Sequence, residues 1–353
     1  MKKNIIMRAA LLLMTLTVAV TAISFMFTSA QFVSRDIESN EFGVYHLISF
    51  QRTGYGWGTG GVDGTGSSHT TFNNAPAGEW AFFVRGTHGT HHAVADSGRP
   101  GVFMGIFNKS TEGHFSAGVV RGGDRNVGTS GGHGGHMAYI MSNRALPGNA
   151  NDTLGWVAIA GGGGGRGAAS AGNHLNLRGG DAGGQTGNIN TWTYQNGANG
   201  FFGGFRGGGT SNTNPQQVET TATFERNGGG GGIAAGGQAG VGWGTTPSGN
   251  PGSWLLGGYA SGNAPFWVAT HSGGGGSGVF GGGGGGGGAT VYSGAGGGGS
   301  SFSGATAAVP ATAATPQTYR EHAIALFWEL VGGAHTDTGR THDGTIILVW
   351  LGP

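Results

Sequence analysis

The chain has 353 residues, of which 83 are glycine and none is cysteine, while only 9% are charged. Without cysteine there is no disulfide, thiolate metal site or cysteine nucleophile. With a formal charge of +1 and no Arg-rich run, the electrostatic footprint of a nucleic-acid binder is missing too.

Disordered chains pair high charge with few aromatics. This chain pairs low charge with nine Trp and 19 Phe, so a folded, weakly charged object is expected. Residues 1–30 read as a secretion leader. Lys2, Lys3 and Arg8 form its positive start, Ala9 to Phe27 its apolar run, and Thr28-Ser29-Ala30 the small residues before a cut ahead of Gln31. The alternative is an uncleaved anchor, the only route by which this reading brings the chain to a membrane. The run is near spanning length, but Thr15, Thr17, Thr21 and Ser24 dilute it. The stretch resembles leaders of exported bacterial surface proteins. Its removal leaves 14 basic against 16 acidic residues, a balance of −2, with Lys109 the only lysine.

Residues 31–160 read as the first part of a β-sandwich. Phe42 to Phe50 is a β-like apolar run, followed by Thr70-Thr-Phe72 and by a Pro76-Ala-Gly78 turn into a strand. In that strand Trp80, Phe82 and Val84 share one face and Ala81, Phe83 and Arg85 the other. Val102–Phe107, Gly118–Val120, His136–Met141 and Leu154–Ala160 are further short strands, with Gly and Asn/Asp turns between them. This spacing predicts an all-β sandwich. The last of these strands runs straight into Gly161–Gly165.

Residues 161–304 hold the glycine tracts Gly161–Gly165, Gly228–Gly232, Gly273–Gly276, Gly281–Gly288 and Gly296–Gly299. More than one residue in three is glycine here. Ordering them all would cost on the order of 25–50 kcal/mol more than ordering alanines, against a typical net stability of about 5–15 kcal/mol. The region is therefore disordered, or ordered collectively in a way that only glycine permits. One such way is a bundle of polyproline-II-type glycine helices, packed backbone to backbone and bonded laterally. In that form Gly281–Gly288 would span about 25 Å. Bulk sits in short inserts: Trp192 and Tyr194, Phe201 and Phe202, Phe205, Trp243, Trp254, and Phe266 with Trp267. These aromatics are candidates for flanking the bundle and meeting a partner. No fixed period suggests a solenoid, and clustered glycine excludes collagen.

Residues 305–353 read as a small-residue linker, a segment from His322 to Val331 that suits strand or helix, and a clear strand in Asp343-Gly-Thr-Ile-Ile-Leu-Val-Trp-Leu351. That strand needs a sheet partner, and the N-terminal strands are the simplest one.

Several stretches resemble the glycine-rich domain of the anaplastic lymphoma kinase and leukocyte tyrosine kinase receptors and of many bacterial exported proteins. They are Thr71 to Gly86, Gly131-Gly-His-Gly-Gly-His-Met-Ala138, the strand into Gly161–Gly165, Gly281–Gly288, Gly296 to Phe302, and Asp343 to Gly352. The resemblance implies a jelly-roll sandwich of tumour-necrosis-factor-like type carrying an inserted hexagonal bundle of polyglycine-II helices. The receptor versions bind protein ligands. Cysteine, a membrane stem and a kinase domain are all missing here, so kinase activity does not carry over.

Catalytic motifs are weak. Matches to Gly-x-Gly-x-x-Gly carry no information at this glycine content, and none lies in a βαβ context. No Walker lysine and no Gly-x-Ser-x-Gly elbow occurs. His88, His91 and His92, like His133 and His136, cluster as surface or turn residues rather than as a converging ligand set. The reading is a non-enzyme without cofactor or metal, exported and displayed as a binding or adhesion scaffold for an unidentified protein or surface ligand. The alternative is a self-associating component of an extracellular matrix or coat.

Overall fold

The computed structural model describes residues 31–39, 43–51, 68–89, 98–123, 131–146, 154–167, 178–183, 200–202, 226–232, 235–242, 247–261, 272–287, 293–335 and 344–353. The leader predicted at residues 1–30 lies outside them.

Two antiparallel sheets pack face to face. The strands in chain order are β1 (Gln31–Ser39), β2 (Gly43–Gln51), β3 (Ser68–Ala75), β4 (Gly78–Arg85), β5 (Val102–Lys109) and β6 (Gly113–Val120). They continue with β7 (Met137–Ser142), β8 (Trp156–Ala160), β9 (Gly200–Phe202), β10 (Ser301–Ser303) and β11 (Thr345–Gly352). One sheet has the order β1-β2-β11-β4-β5 and the other β3-β6-β7-β8-β10-β9. The C-terminal strand does pair with the N-terminal ones, lying between β2 and β4.

Period-two alternation decides what each face buries. Trp80, Phe82 and Val84 enter the core between the sheets, with Phe115, Ile140, Val157, Ile346 and Leu348. Trp80 meets Phe115 edge-on at 5.0 Å, a favoured aromatic geometry. Ala81 and Phe83, one residue out of step, face the opposite way. There they meet a helix, α1 (Tyr319–His335).

That helix resolves the segment that suited either strand or helix. Thr318 Oγ1 accepts the Glu321 N–H at 3.3 Å, and the Glu321 carboxylate accepts the N–H of Gln317 at 2.7 Å and of Thr318 at 3.0 Å. This is a capping box, which satisfies backbone donors that a helix start leaves open. The two backbone bonds hold the Glu321 carboxyl below the usual range. From the cap onward, Ala323, Ile324, Phe327 and Val331 lie on one face and pack on Phe83, Ile347 and Val349. β11 is thus covered on both sides, which is why its apolar residues run on without alternation.

The outer face of the second sheet is covered differently. Val120, Met137, Tyr139, Met141, Trp156 and Ile159 lie under Val279, with Trp254, Leu255 and Phe280 beside it. Burial in this layer pushes the Tyr139 phenol up to about 12. An unfolded tyrosine ionises near pH 10, so the folded chain holds its proton longer than the unfolded one. Stability from this group is full below about pH 10 and is lost as pH rises toward 12, by about 2–3 kcal/mol. Chemical denaturation at pH 9 and pH 12 is expected to show this loss, and Tyr139→Phe to reduce it by that amount. An unchanged pH dependence in the variant would refute it.

Candidate functional site

At one end of the sandwich the strands do not turn but run on into glycine-rich segments. Residues 86–89 follow β4 and 98–101 lead into β5. Residues 121–123 follow β6, 131–136 lead into β7, 161–167 follow β8, and 293–300 lead into β10. These segments meet 178–183, 226–232, 235–242, 247–261 and 272–287 in one hydrogen-bonded array. Four of them come from before residue 160. The array therefore draws on the strand ends as well as on the glycine-rich stretch.

The tract 281–287 shows how the array is ordered. The N–H groups of Gly281, Gly284 and Gly287 donate to the carbonyls of Ser253, Asn250 and Pro247. Those of Gly282 and Gly285 donate to Gly276 and Gly273, and those of Gly283 and Gly286 to Gly229 and Arg226. All seven bonds measure 2.7–3.1 Å. Every third residue thus returns to the same neighbour. The carbonyls follow the same rule: Gly281 and Gly284 accept from Gly237 and Gly240, Gly282 and Gly285 from Gly258 and Ser261, and Gly283 and Gly286 from Gly297 and Gly294. One tract is bonded to six surrounding segments. Its backbone polar groups are satisfied without an α-helix or a β-sheet.

The tract 161–167 repeats the pattern. Gly162 and Gly165 donate to Ser277 and Gly274, Gly163 to Thr87, and Gly164 to Gly180. Gly161 and Gly164 accept from Gly101 and Gly98, Gly163 and Arg166 from Gly135 and Gly132, and Gly162 and Gly165 from Gly299 and Gly296.

Such packing leaves no room for a side chain. A Cβ at Gly275 would stand 1.9 Å from the Gly282 oxygen, one at Gly276 1.9 Å from the Gly162 oxygen, and one at Gly299 1.9 Å from the Ser277 oxygen. The obstructing atoms are backbone and cannot rotate away. Non-glycine residues inside the array fill gaps in the bonding. Ser301 Oγ accepts the Gly161 N–H at 2.8 Å and donates to the Gly183 carbonyl at 2.7 Å. His136 Nδ1 accepts the Gly122 N–H at 3.0 Å, which gives this predicted turn histidine a structural task.

Of the glycines singled out by sequence, Gly161, Gly165, Gly228, Gly232, Gly273, Gly276, Gly281, Gly296 and Gly299 lie in the array, with Gly232 bonded locally to Ala235 at 2.9 Å. Gly288 lies outside the described residues. The aromatics Trp192, Tyr194, Trp243, Phe266 and Trp267 lie outside them too. Phe201 and Phe202 fall in the edge strand β9. Trp254 stacks on Trp156 at 5.8 Å and meets Phe280 edge-on at 5.4 Å, so it closes the array against the second sheet.

Bulk that reaches solvent stands on the outer segments. In 235–242 the exposed residues are Ala235, Gln238 and Val241, again three apart. In 256–261 they are Leu256 and Tyr259. Val241, Leu256 and Tyr259 are 54%, 49% and 53% exposed, and the carbonyl of each lies against the 281–287 tract. A three-residue pattern of large side chains outward was a signal present in the sequence, but reading it requires the array geometry first. Among the described residues no three His, Cys, Asp or Glu side chains converge, and no helix is long and apolar enough to cross a membrane.

Comparison with protein-family models and with curated proteins returns no match.

Proposed function

We propose that this chain is an exported bacterial binding or adhesion scaffold. Its strands form a jelly-roll sandwich of tumour-necrosis-factor-like type, and its glycine segments form a bundle of polyglycine-II helices. The three-residue return of the hydrogen bonds in 281–287 and 161–167 supports the helix assignment, since such helices have three residues per turn. The function rests on one observation above all: side chains are excluded from the inner tracts, and exposed Val241, Leu256 and Tyr259 stand on the outer segments. A backbone lattice bonded in six directions holds those positions rigidly, so little conformational freedom is left to be lost on binding.

The test is adhesion of the purified chain to cells and extracellular polymers. A variant carrying Val241→Ser, Leu256→Ser and Tyr259→Ser, with an unchanged melting curve, is expected to lose at least tenfold in binding. Full retention would remove these residues from the contact surface. Self-association into a matrix or coat is the second reading, favoured by the low charge and by the same exposed apolar residues. Analytical sedimentation separates the two: a concentration-dependent assembly supports a coat, whereas a stable monomer at high concentration supports a scaffold for another partner.

A further inference from the structure

The last lysine of the chain occupies an unusual place. Two of the three lie in the leader, and after residue 30 every other strong cation is arginine. Lys109 closes β5 at the end of the sandwich away from the glycine array. Its side chain is 1% exposed, although Asn108 and Ser110 on either side are exposed. The ammonium lies 5.3 Å from the Phe115 ring centre. It donates to Ser142 Oγ at 3.4 Å and to Asn143 Oδ1. Among the described residues no carboxylate pairs with it.

Asn143 is held by its own set of bonds. It follows β7 with a left-handed φ of 55°, and its N–H donates to the His114 carbonyl at 2.9 Å. Its Oδ1 accepts the His114 N–H at 2.9 Å, and its Nδ2 donates to Thr111 Oγ1 at 3.0 Å. A Cβ at Gly113 would lie 2.1 Å from Oδ1 and 2.8 Å from Cγ. Glycine at 113 is what admits the carboxamide. The result is a primary amine and a carboxamide in contact, at the edge of an aromatic-lined core.

We infer that Lys109 and Asn143 join in an intramolecular isopeptide bond. The Nζ lone pair attacks Cγ of Asn143, a C–N bond forms, and the Cγ–Nδ2 bond breaks. Nδ2 leaves as ammonia, carrying the proton given up by Nζ. One amide replaces another, so no oxidant, cofactor or second substrate is consumed. Each neighbour contributes to this step. Burial lowers the pKa of Lys109, which frees the lone pair; arginine stays protonated and would be inert here. The His114 N–H is aimed at the oxygen that turns negative in the tetrahedral intermediate. The leaving nitrogen faces the hydroxyl of exposed Thr111, so ammonia departs into water. The bond ties β5 of one sheet to the end of β7 in the other. In a chain without cysteine it does the work of a disulfide.

Tryptic mapping of the folded full chain decides the matter. Trypsin cuts after a free lysine but not after an acylated one, and it spares Arg99 because Pro100 follows. The expected product is peptide 86–121 joined to peptide 126–144, lighter than their sum by one ammonia, about 17 Da. Lys109→Arg and Asn143→Ala are expected to abolish the joined species, and Gly113→Ala to abolish or slow it at least tenfold with both reacting residues intact. Cleavage after Lys109 with all peptides at their sequence masses overturns the proposal, and that result on the unaltered chain holds however the variants fold. A loss of ammonia confined to a peptide beginning at Gln31 would be cyclised glutamine and overturns it equally.

Discussion

Gly275→Ala is expected to destabilise the protein by about 4–8 kcal/mol, more than most core truncations do. A methyl at 275 would sit 1.9 Å from the Gly282 oxygen, 2.5 Å from its carbon and 2.9 Å from the Gly283 oxygen. In a side-chain core, overpacking of this kind costs about 1–3 kcal/mol, because neighbouring side chains rotate away. Here the neighbours are backbone. Gly282 is fixed by its bond to Gly276 and by the one it accepts from Gly258, and Gly283 by those to Gly229 and from Gly297. Moving the strand of chain far enough breaks two or three of these, each leaving a buried group unsatisfied at about 1–3 kcal/mol. The control is Gly332→Ala. Nothing lies within 4 Å of a Cβ there, and the residue is in α1, so alanine is expected to be neutral or to stabilise by up to about 1 kcal/mol. Urea denaturation of both variants gives the contrast. If Gly275→Ala fell within about 1 kcal/mol of the unaltered chain, close backbone packing would not be what orders the glycine segments.

How much of this was legible beforehand depends on whether side chains carry the information. The β4 alternation of Trp80, Phe82 and Val84 against Ala81 and Phe83 could be read directly, because burial on two different faces leaves a period of two in the sequence. α1 could not be read with the same certainty. From Ala323 to Val331 apolar residues are nearly continuous, so the face formed by Ala323, Ile324, Phe327 and Val331 does not stand out. The glycine tracts announced collective order through their entropy. Which tract meets which was invisible, since polyglycine has no side chain to set a register. The segments 86–89, 98–101 and 121–123 were missed as array members because each holds only two glycines. Trp254 was singled out for flanking the bundle or meeting a partner, and its contacts with Trp156 and Phe280 could not be read from the sequence. The Lys109–Asn143 pair is separated by 34 positions, and only the scarcity of lysine hinted at it.

Ser277→Ala is the second large effect, and it tests how the array is joined to the sheets. Val120 and Met137 form the last rung of the β6–β7 ladder. Beyond it the two chains separate into different glycine segments, and the Met137 N–H and Val120 carbonyl face the array with no strand to receive them. Ser277 Oγ takes both roles: it accepts the Met137 N–H at 2.6 Å and donates to the Val120 carbonyl at 2.7 Å. Ser277 is itself fully buried, so water cannot substitute for the hydroxyl. Alanine keeps the Cβ and removes only the oxygen, leaving one donor and one acceptor unsatisfied. At about 1–3 kcal/mol each, the loss is expected to be about 2–5 kcal/mol. Ser277→Gly is expected to lose at least as much, because the missing oxygen and not the space is what matters. Amide exchange at Met137 should quicken in both variants, while exchange at Phe82, in the opposite sheet, changes only as far as global stability falls. A loss under about 0.5 kcal/mol, within the range of neutral surface changes, would mean that the apolar contacts of Val279, Trp254 and Phe280 with the second sheet hold the junction without help from this hydroxyl. The hydroxyl would then be incidental to the junction.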